Sequence, residues 1–402
     1  MEKEYLEIIL RRKQNDMRVK KIVSVEYKPA LDKGENYMST LMRNKLVVLL
    51  GSGETAVKHL IVKSFPETED HSAFLQEYFI FKNEIHVYSK ILRDMKTLME
   101  EFQDKRDQLW CEMVDYKPYH KLILQDLKDH QFYAQNRRET LDLQHCMFAL
   151  KALARFHAMS AVLLKRCLLR PGEFETYIFS KEIIVKRVFA ASMKVLGKGV
   201  KQSWGDEWSH LPDLFNKAAD EIYNKLQDLI IPDASRFNVL NHGDCWTNNM
   251  LFKHVEDTNI PSAVRFVDYQ LSHYNSFAWD VTYFIYSSIK PTIRREKFID
   301  LLTTYHKALC YNLKLFHYPE SDIPTIQQCM DEMERIKYFG ALVLLSVYAI
   351  TTADNDEPFD MDKNLKNEDD PEAGFNIQIF IDPKYRETVN DDLKDFIKEG
   401  LL

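Results

Sequence analysis

Cysteine is scarce and scattered. The chain has six in 402 residues, at positions 111, 146, 167, 245, 310 and 329, with no CxxC pair and no metal-ligand spacing. That argues against a disulfide framework or a zinc module, and for reduced thiols in a cytoplasmic protein. A basic excess is also missing: 54 Lys and Arg against 61 Asp and Glu leave a net charge of -7. Nucleic acid is therefore not an expected partner, because a surface that tracks phosphates needs positive charge. A local basic pocket for a nucleotide stays open. The longest apolar stretch, Tyr338 to Ile350, is too short to cross a bilayer and reads as a buried helix, so no membrane partner is expected. The charged opening, Met1-Glu2-Lys3-Glu4-Tyr5, has neither the apolar run nor the small-residue cleavage site of a secretory signal.

What is present is a globular composition, 45% hydrophobic and 29% charged, in a chain long enough for two lobes with separate cores. No repeat of solenoid period occurs. Residues 1–25 read as helix. Met38–Leu50 and Val57–Phe65 read as strands joined by a hairpin turn at Gly51-Ser52-Gly53-Glu54. Glu77–Leu92 shows one broad apolar helical face. Leu122-Ile123-Leu124 is a short strand ending at Gln125-Asp126-Leu127. Beyond it the pattern is mainly helical: Leu141–Leu164, Pro212–Ile230 and 290–316. The acidic stretch Ala353–Gly374 reads as a solvated loop. The expected organisation is α+β: a small β-rich N-terminal lobe over 1–125 and a larger, mainly helical lobe over 126–402.

Two short motifs stand out inside the helical half. One is Asn241-His242-Gly243-Asp244-Cys245-Trp246-Thr247-Asn248-Asn249-Met250-Leu251-Phe252, and the other is Arg265-Phe266-Val267-Asp268-Tyr269-Gln270. Each is a polar loop joined to a short apolar strand, which brings two carboxylates and an asparagine to neighbouring strand ends. Phosphoryl transfer needs such a set: a carboxylate for the attacking hydroxyl, oxygen ligands for Mg²⁺, and an acid-positioned lysine on the phosphates. Kinase catalytic loops space their Asp and metal-binding Asn as Asp244 and Asn249 are spaced here, and Asp268 then takes the place of the DFG aspartate. Lys63 closes a strand, as a phosphate-clamping lysine does, and Glu84 on the following helix is its expected partner. Gly34-Glu35-Asn36-Tyr37-Met38-Ser39 precedes the first long strand, where a phosphate-covering loop would lie.

These motifs resemble the ecdysteroid-kinase-like family, within the aminoglycoside-phosphotransferase and choline-kinase branch of the protein-kinase-like fold. Supporting matches are Leu60-Ile61-Val62-Lys63, Phe81-x-x-Glu84-x-x-x-Tyr88, Leu124-Gln125-Asp126-Leu127 and Leu153-Ala154-x-Phe156-His157-Ala158. Gln125 departs from the family's more frequent Glu. The resemblance implies a bilobal kinase, mainly of insects, that binds ATP and Mg²⁺ between its lobes. Asp244 would be the base. Lys63, Glu84, Asn36, Ser39, Leu124, Asp126 and Leu127 would hold the nucleotide, and Asn249 and Asp268 the metal. The catalytic loop would span 241–252 and the metal-binding strand 264–270. The acceptor would be a small hydroxylated molecule, an ecdysteroid or a xenobiotic, and the chain a monomer or weak dimer. A choline-type kinase and a non-catalytic pseudokinase are the rivals.

Asp268 is followed almost at once by Ser276-Phe277-Ala278-Trp279-Asp280, which leaves no room for an activation segment. Other notable residues have plainer expected roles. His242 and His157 read as structural, Asp280 as a brace for the loop, and Trp246 as either pocket border or packing. Trp204 and Trp208 are candidates for an acceptor site. The reactivity of Cys245 is left open.

Overall fold

The computed structural model describes residues 3–12, 18–30, 39–64, 80–118, 120–174, 177–355, 357–367 and 369–402. The chain opens with helix α1 (Lys3–Arg12), then strands β1 (Val19–Pro29), β2 (Thr40–Leu50) and β3 (Thr55–Ser64). Helix α2 follows over 80–101, with a π turn at Val87–Ile91, and then β4 (Met113–Lys117) and β5 (Lys121–Gln125). These five strands form one antiparallel sheet in the order β1-β2-β3-β5-β4.

Strand alternation explains what the sheet does. Leu60 and Val62 of β3, with Ile123 of β5, pack against Leu6, Ile9 and Leu10 of α1. Their neighbours Ile61, Leu122 and Leu124 point to the other face and join the large core shared with α2. Lys63 lies on that second face, paired in register with Leu41 and Leu122.

The remainder is mainly helical. A short strand, β6 (Tyr133–Ala134), leads to α3 (Leu143–Lys165), α4 over 182–203 with a π turn at Lys186–Ala190, and α5 (Leu211–Ile230). Four short strands follow or flank the polar loops: β7 (Asn238–Asn241), β8 (Met250–His254), β9 (Pro261–Phe266) and β10 (His273–Ser276). They form a β6-β8-β9 sheet and a β10-β7 pair. Then come α6 (Ala278–Ser288), α7 (Pro291–Leu315), α8 (Ile326–Arg335), α9 over 337–352 with a π turn at Val343–Tyr348, α10 (Met361–Lys366) and α11 (Pro383–Lys398). The fold is thus α+β, protein-kinase-like, with a β-rich lobe followed by a helical one.

Three expectations from the sequence change. Helix over 1–25 gives way after Arg12, because Val19, Ile22 and Val25 form the buried-side face of an edge strand. By length and composition α3 could span a bilayer, which exceeds the 338–350 stretch, but it is mostly buried inside the protein core. The acidic 353–374 stretch is not simply a solvated loop. It contains α10 and closes on itself through Phe359 against Phe375. Its buried Asn364 donates to the carbonyls of Pro371 and Ala373.

Candidate active site

The face of β3 that carries Lys63 looks onto α2. One turn into that helix, Glu84 places its Oε2 2.7 Å from the Lys63 ammonium. On the other side Asp268 Oδ1 lies at 2.6 Å. Lys63 and Glu84 are only 2% and 1% exposed. Burial pushes the ammonium toward its neutral form, but the two carboxylates outweigh that and hold its pKa above the usual lysine value. Burial pushes the Glu84 carboxyl up, and Lys63 opposes it.

Asp268 adopts left-handed backbone, φ 69° and ψ 63°, just past β9. Asn83, beside Glu84, secures the following turn by donating to the carbonyls of Gln270 (3.1 Å) and Ser272 (2.8 Å). Helix α2 thus positions the lysine through one residue and the Asp268 turn through its neighbour.

The 241–252 loop is held by buried hydrogen bonds. Asp280, in the first turn of α6, accepts from the backbone N–H of His242 (2.6 Å) and of Gly243 (2.8 Å), and from His157 Nε2 (3.0 Å). Burial raises its carboxyl, and the His157 and backbone donors more than reverse this, leaving its pKa below the ordinary range. His157 completes the chain by accepting from the Tyr305 hydroxyl at 2.8 Å. His242 Nε2 donates to the Val267 carbonyl (3.0 Å), which fixes its tautomer, and burial lowers its pKa. Both histidines have both ring nitrogens engaged within the protein. Gly243 has φ +86°, and a Cβ there would lie 1.9 Å from the Leu271 carbonyl oxygen. Only glycine fits between the loop and the Asp268 turn.

Asp244 emerges from this scaffold. Its Oδ1 accepts from the Tyr283 hydroxyl (2.8 Å) and its Oδ2 from Asn249 Nδ2 (2.9 Å). Burial, then the nearby Asp268, raise its carboxyl pKa to about 7. Asn249 Nδ2 also donates to the Asp244 carbonyl at 2.9 Å, so its amide nitrogen is committed. Its oxygen, like Asp268 Oδ2, has no hydrogen bond among the described residues. Two hard oxygen donors beside a buried lysine suit Mg²⁺, which prefers oxygen ligands.

Lys63, Glu84, Leu124, Asp126, Leu127, Asp244, Asn249 and Asp268 all line one cavity of about 690 Å³. Ser39 precedes β2 and is not among its lining residues, and Asn36 lies outside the described residues. The Asp126 side chain is engaged by Arg43 (2.5 Å) and by the Lys128 N–H (3.1 Å), so the chain at 124–127 offers backbone rather than carboxylate. Trp246 borders the cavity. Trp204 and Trp208 do not: they pack edge to face in the core, with Trp204 Nε1 donating to the Phe380 carbonyl. Burial drives the Cys245 thiol far above its usual pKa, so it is not an activated thiol.

Sequence reasoning missed Tyr283, Arg43, Asn83 and a whole cavity wall. Tyr283 had a signal, since it follows Asp280 by three residues on one helix and so shares its face. The wall, from α4, α9 and the 357–367 segment, had none.

A β3 lysine paired with a helix glutamate, a loop aspartate five residues before an asparagine, and a post-strand aspartate define a phosphotransferase of the protein-kinase-like class. The chain belongs to the ecdysteroid kinase-like family, whose profile matches residues 33–318. Among solved structures it is similar to the GDP complex of an aminoglycoside 2′-phosphotransferase point variant. That likeness has a TM-score of 0.39 at 10% identity and covers 98% of this chain and 99% of the other. Comparison with curated proteins gave no match.

Proposed function

We propose that the protein transfers the γ-phosphoryl group of ATP, with Mg²⁺, to a hydroxyl of a small apolar molecule, an ecdysteroid being the leading acceptor. The observation that carries this is Lys63 held between Glu84 and Asp268 in the same cavity as Asp244. Lys63 grips the nucleotide phosphates and Glu84 keeps its ammonium in place. Asn249 and Asp268 would hold the metal, which when bound neutralises charge on the phosphates. Asp244 orients the acceptor hydroxyl and takes its proton, with Tyr283 and Asn249 fixing the carboxylate. The backbone at 124–127 receives the adenine.

The acceptor side of the cavity favours an apolar skeleton, lined as it is by Ile178, Phe179, Ile184, Val188, Val347 and Ile350. A choline-type acceptor fits poorly. Among the described residues the cavity's carboxylates are Glu84, Asp126, Asp244 and Asp268, and each already has a partner or a proposed role, which leaves none of these for an ammonium. The family's name and this apolar lining favour a steroid over other hydroxylated xenobiotics.

Product mass spectrometry with Mg-ATP and a panel of ecdysteroids tests the reading, with Asp244→Asn as control. A steroid monophosphate from the wild type alone is the expected result. Turnover only with other hydroxylated compounds would move the acceptor to xenobiotics. Nucleotide binding without transfer to any acceptor would make the protein a pseudokinase.

A further inference from the structure

One buried charge in the cavity has no use in that mechanism. Arg187 lies in the π turn of α4 and lines the cavity, yet is only 7% exposed. Its Nη1 donates to the Asn364 carbonyl oxygen and, at 3.4 Å, to Asn364 Oδ1. Both acceptors are neutral. Among the described residues no carboxylate pairs with it, and its Nε and Nη2 have no hydrogen-bond partner. Of the other cavity cations, Lys63 is compensated by Glu84 and Asp268 and Arg43 by Asp126, while Lys128 is exposed to water. Those free N–H groups are not sealed inside the protein but open onto the cavity, where a bound anion would accept from them. A π turn inside a helix is a frequent mark of a functional position, because it re-aims one side chain.

We propose that Arg187 is the acceptor-specificity residue, binding an anionic oxygen group at the end of the acceptor away from the reacting hydroxyl. Within the steroid class proposed above, the acceptor it fits best is a hydroxylated skeleton carrying a carboxylate or a sulfate ester. Either group accepts two parallel N–H bonds from the guanidinium fork. A neutral acceptor with a carbonyl or hydroxyl there ranks second and a cationic one last. The neighbours of Arg187 in the cavity, Ile184 and Val188 on its own helix and Met361 and Leu365 opposite, supply the apolar surroundings for the skeleton. The anchor on Asn364 places the guanidinium with this wall rather than with the phosphate end. The inference rests on the phosphotransferase reading for its chemistry, but its binding test does not.

The test uses the full chain and one hydroxylated steroid skeleton whose side chain ends in a carboxylate, an alcohol or an amine, with a sulfate ester as second anion. Calorimetry gives affinity, and steady-state kinetics with Mg-ATP separates KM from kcat. The wild type should bind the acid roughly 10- to 100-fold more tightly than the alcohol, the range for hydrogen bonds to a charged group. Arg187→Gln should erase that preference through KM for the acid and not through KM for ATP, and Arg187→Lys should restore part of it. Asn364→Ala should keep the ranking, since the guanidinium remains.

Equal wild-type affinity for acid and alcohol would overturn the proposal. So would a rise in KM for ATP alone, which would make Arg187 a phosphate ligand. Equal losses for every acceptor in both Arg187→Gln and Asn364→Ala would reduce the pair to a structural clip. A charge ranking in calorimetry without turnover of any acceptor would support the Arg187 site and remove the kinase reading.

Discussion

Replacing Asp280 with asparagine removes one charge and almost no volume, which isolates the brace under the 241–252 loop. Both oxygens of Asp280 are in use: Oδ1 accepts from the Gly243 N–H, and Oδ2 from the His242 N–H and His157 Nε2. Whichever oxygen becomes an NH₂ group, at least one buried N–H then faces another donor. An orphaned buried donor costs about 1–3 kcal/mol. The surviving bonds lose their charge-assisted character, and with it roughly half their strength. Together these give a loss of about 3–5 kcal/mol, in line with breaking a buried charged network and a large fraction of an ordinary stability of about 5–15 kcal/mol. The loop carries Asp244, so a displacement of about 1 Å should also lower kcat by about 100-fold.

Urea unfolding at pH 7.5 and ATP-dependent turnover on the same preparation measure both effects. The folded pKa of Asp280 is depressed. Its share of stability is therefore present above the unfolded value of about 3.9 and is lost as pH falls through the still lower folded value, so the gap between wild type and variant should close only in strong acid. A loss under about 1 kcal/mol with unchanged kcat would refute the brace, being no more than a surface substitution costs. Unchanged stability with a greatly raised Mg²⁺ requirement would refute it too, and would make Asp280 a metal ligand.

Three other outcomes are expected. Asp244 must be ionised to accept a proton and its pKa is raised to about 7, so kcat/KM for Mg-ATP should rise with pH through that value. Tyr283→Phe, which removes a bond that stabilises the carboxylate, should move this limb upward. Lys63→Met leaves buried Glu84 and half-buried Asp268 without their cation and should destabilise the protein by about 3–5 kcal/mol. Because the Glu84 pKa is raised on folding, that variant should be most stable at low pH and lose stability as pH rises through the folded value, as denaturant titrations at several pH values would show. Alkylation should label exposed Cys167 first and leave buried Cys245 unmodified, so iodoacetamide should not inactivate the enzyme; peptide mapping with activity assays checks this.

How much could be read in the chain depended on how each part is specified. Asp244, Asn249 and Asp268 were visible because their chemistry needs particular residue types at particular spacings. Lys63 followed from its place at the end of a strand and Glu84 from its place on the next helix. The structure brings these five into one cavity. The helical half was legible from its apolar periodicity. What escaped depends on contacts between distant segments. β1 hid behind charged residues because an edge strand buries only one face. The 353–374 stretch looked like a solvated loop because its order rests on one buried asparagine, which composition does not reveal. Arg187 is an ordinary helical arginine until residues far along the chain enclose it.

That enclosure joins two parts of the polypeptide. Lys63, Glu84, Asp244, Asn249 and Asp268 all fall within the stretch 33–318 that matches the family. Val347, Ile350, Met361, Asn364 and Leu365, which wall the other side of the cavity, fall outside it. Substitutions in the C-terminal stretch can reshape that wall without touching Lys63, Glu84, Asp244, Asn249 or Asp268. A chimera that exchanges only the chain after residue 318 would therefore recut one wall of the cavity while keeping Arg187 and the α4 side opposite it.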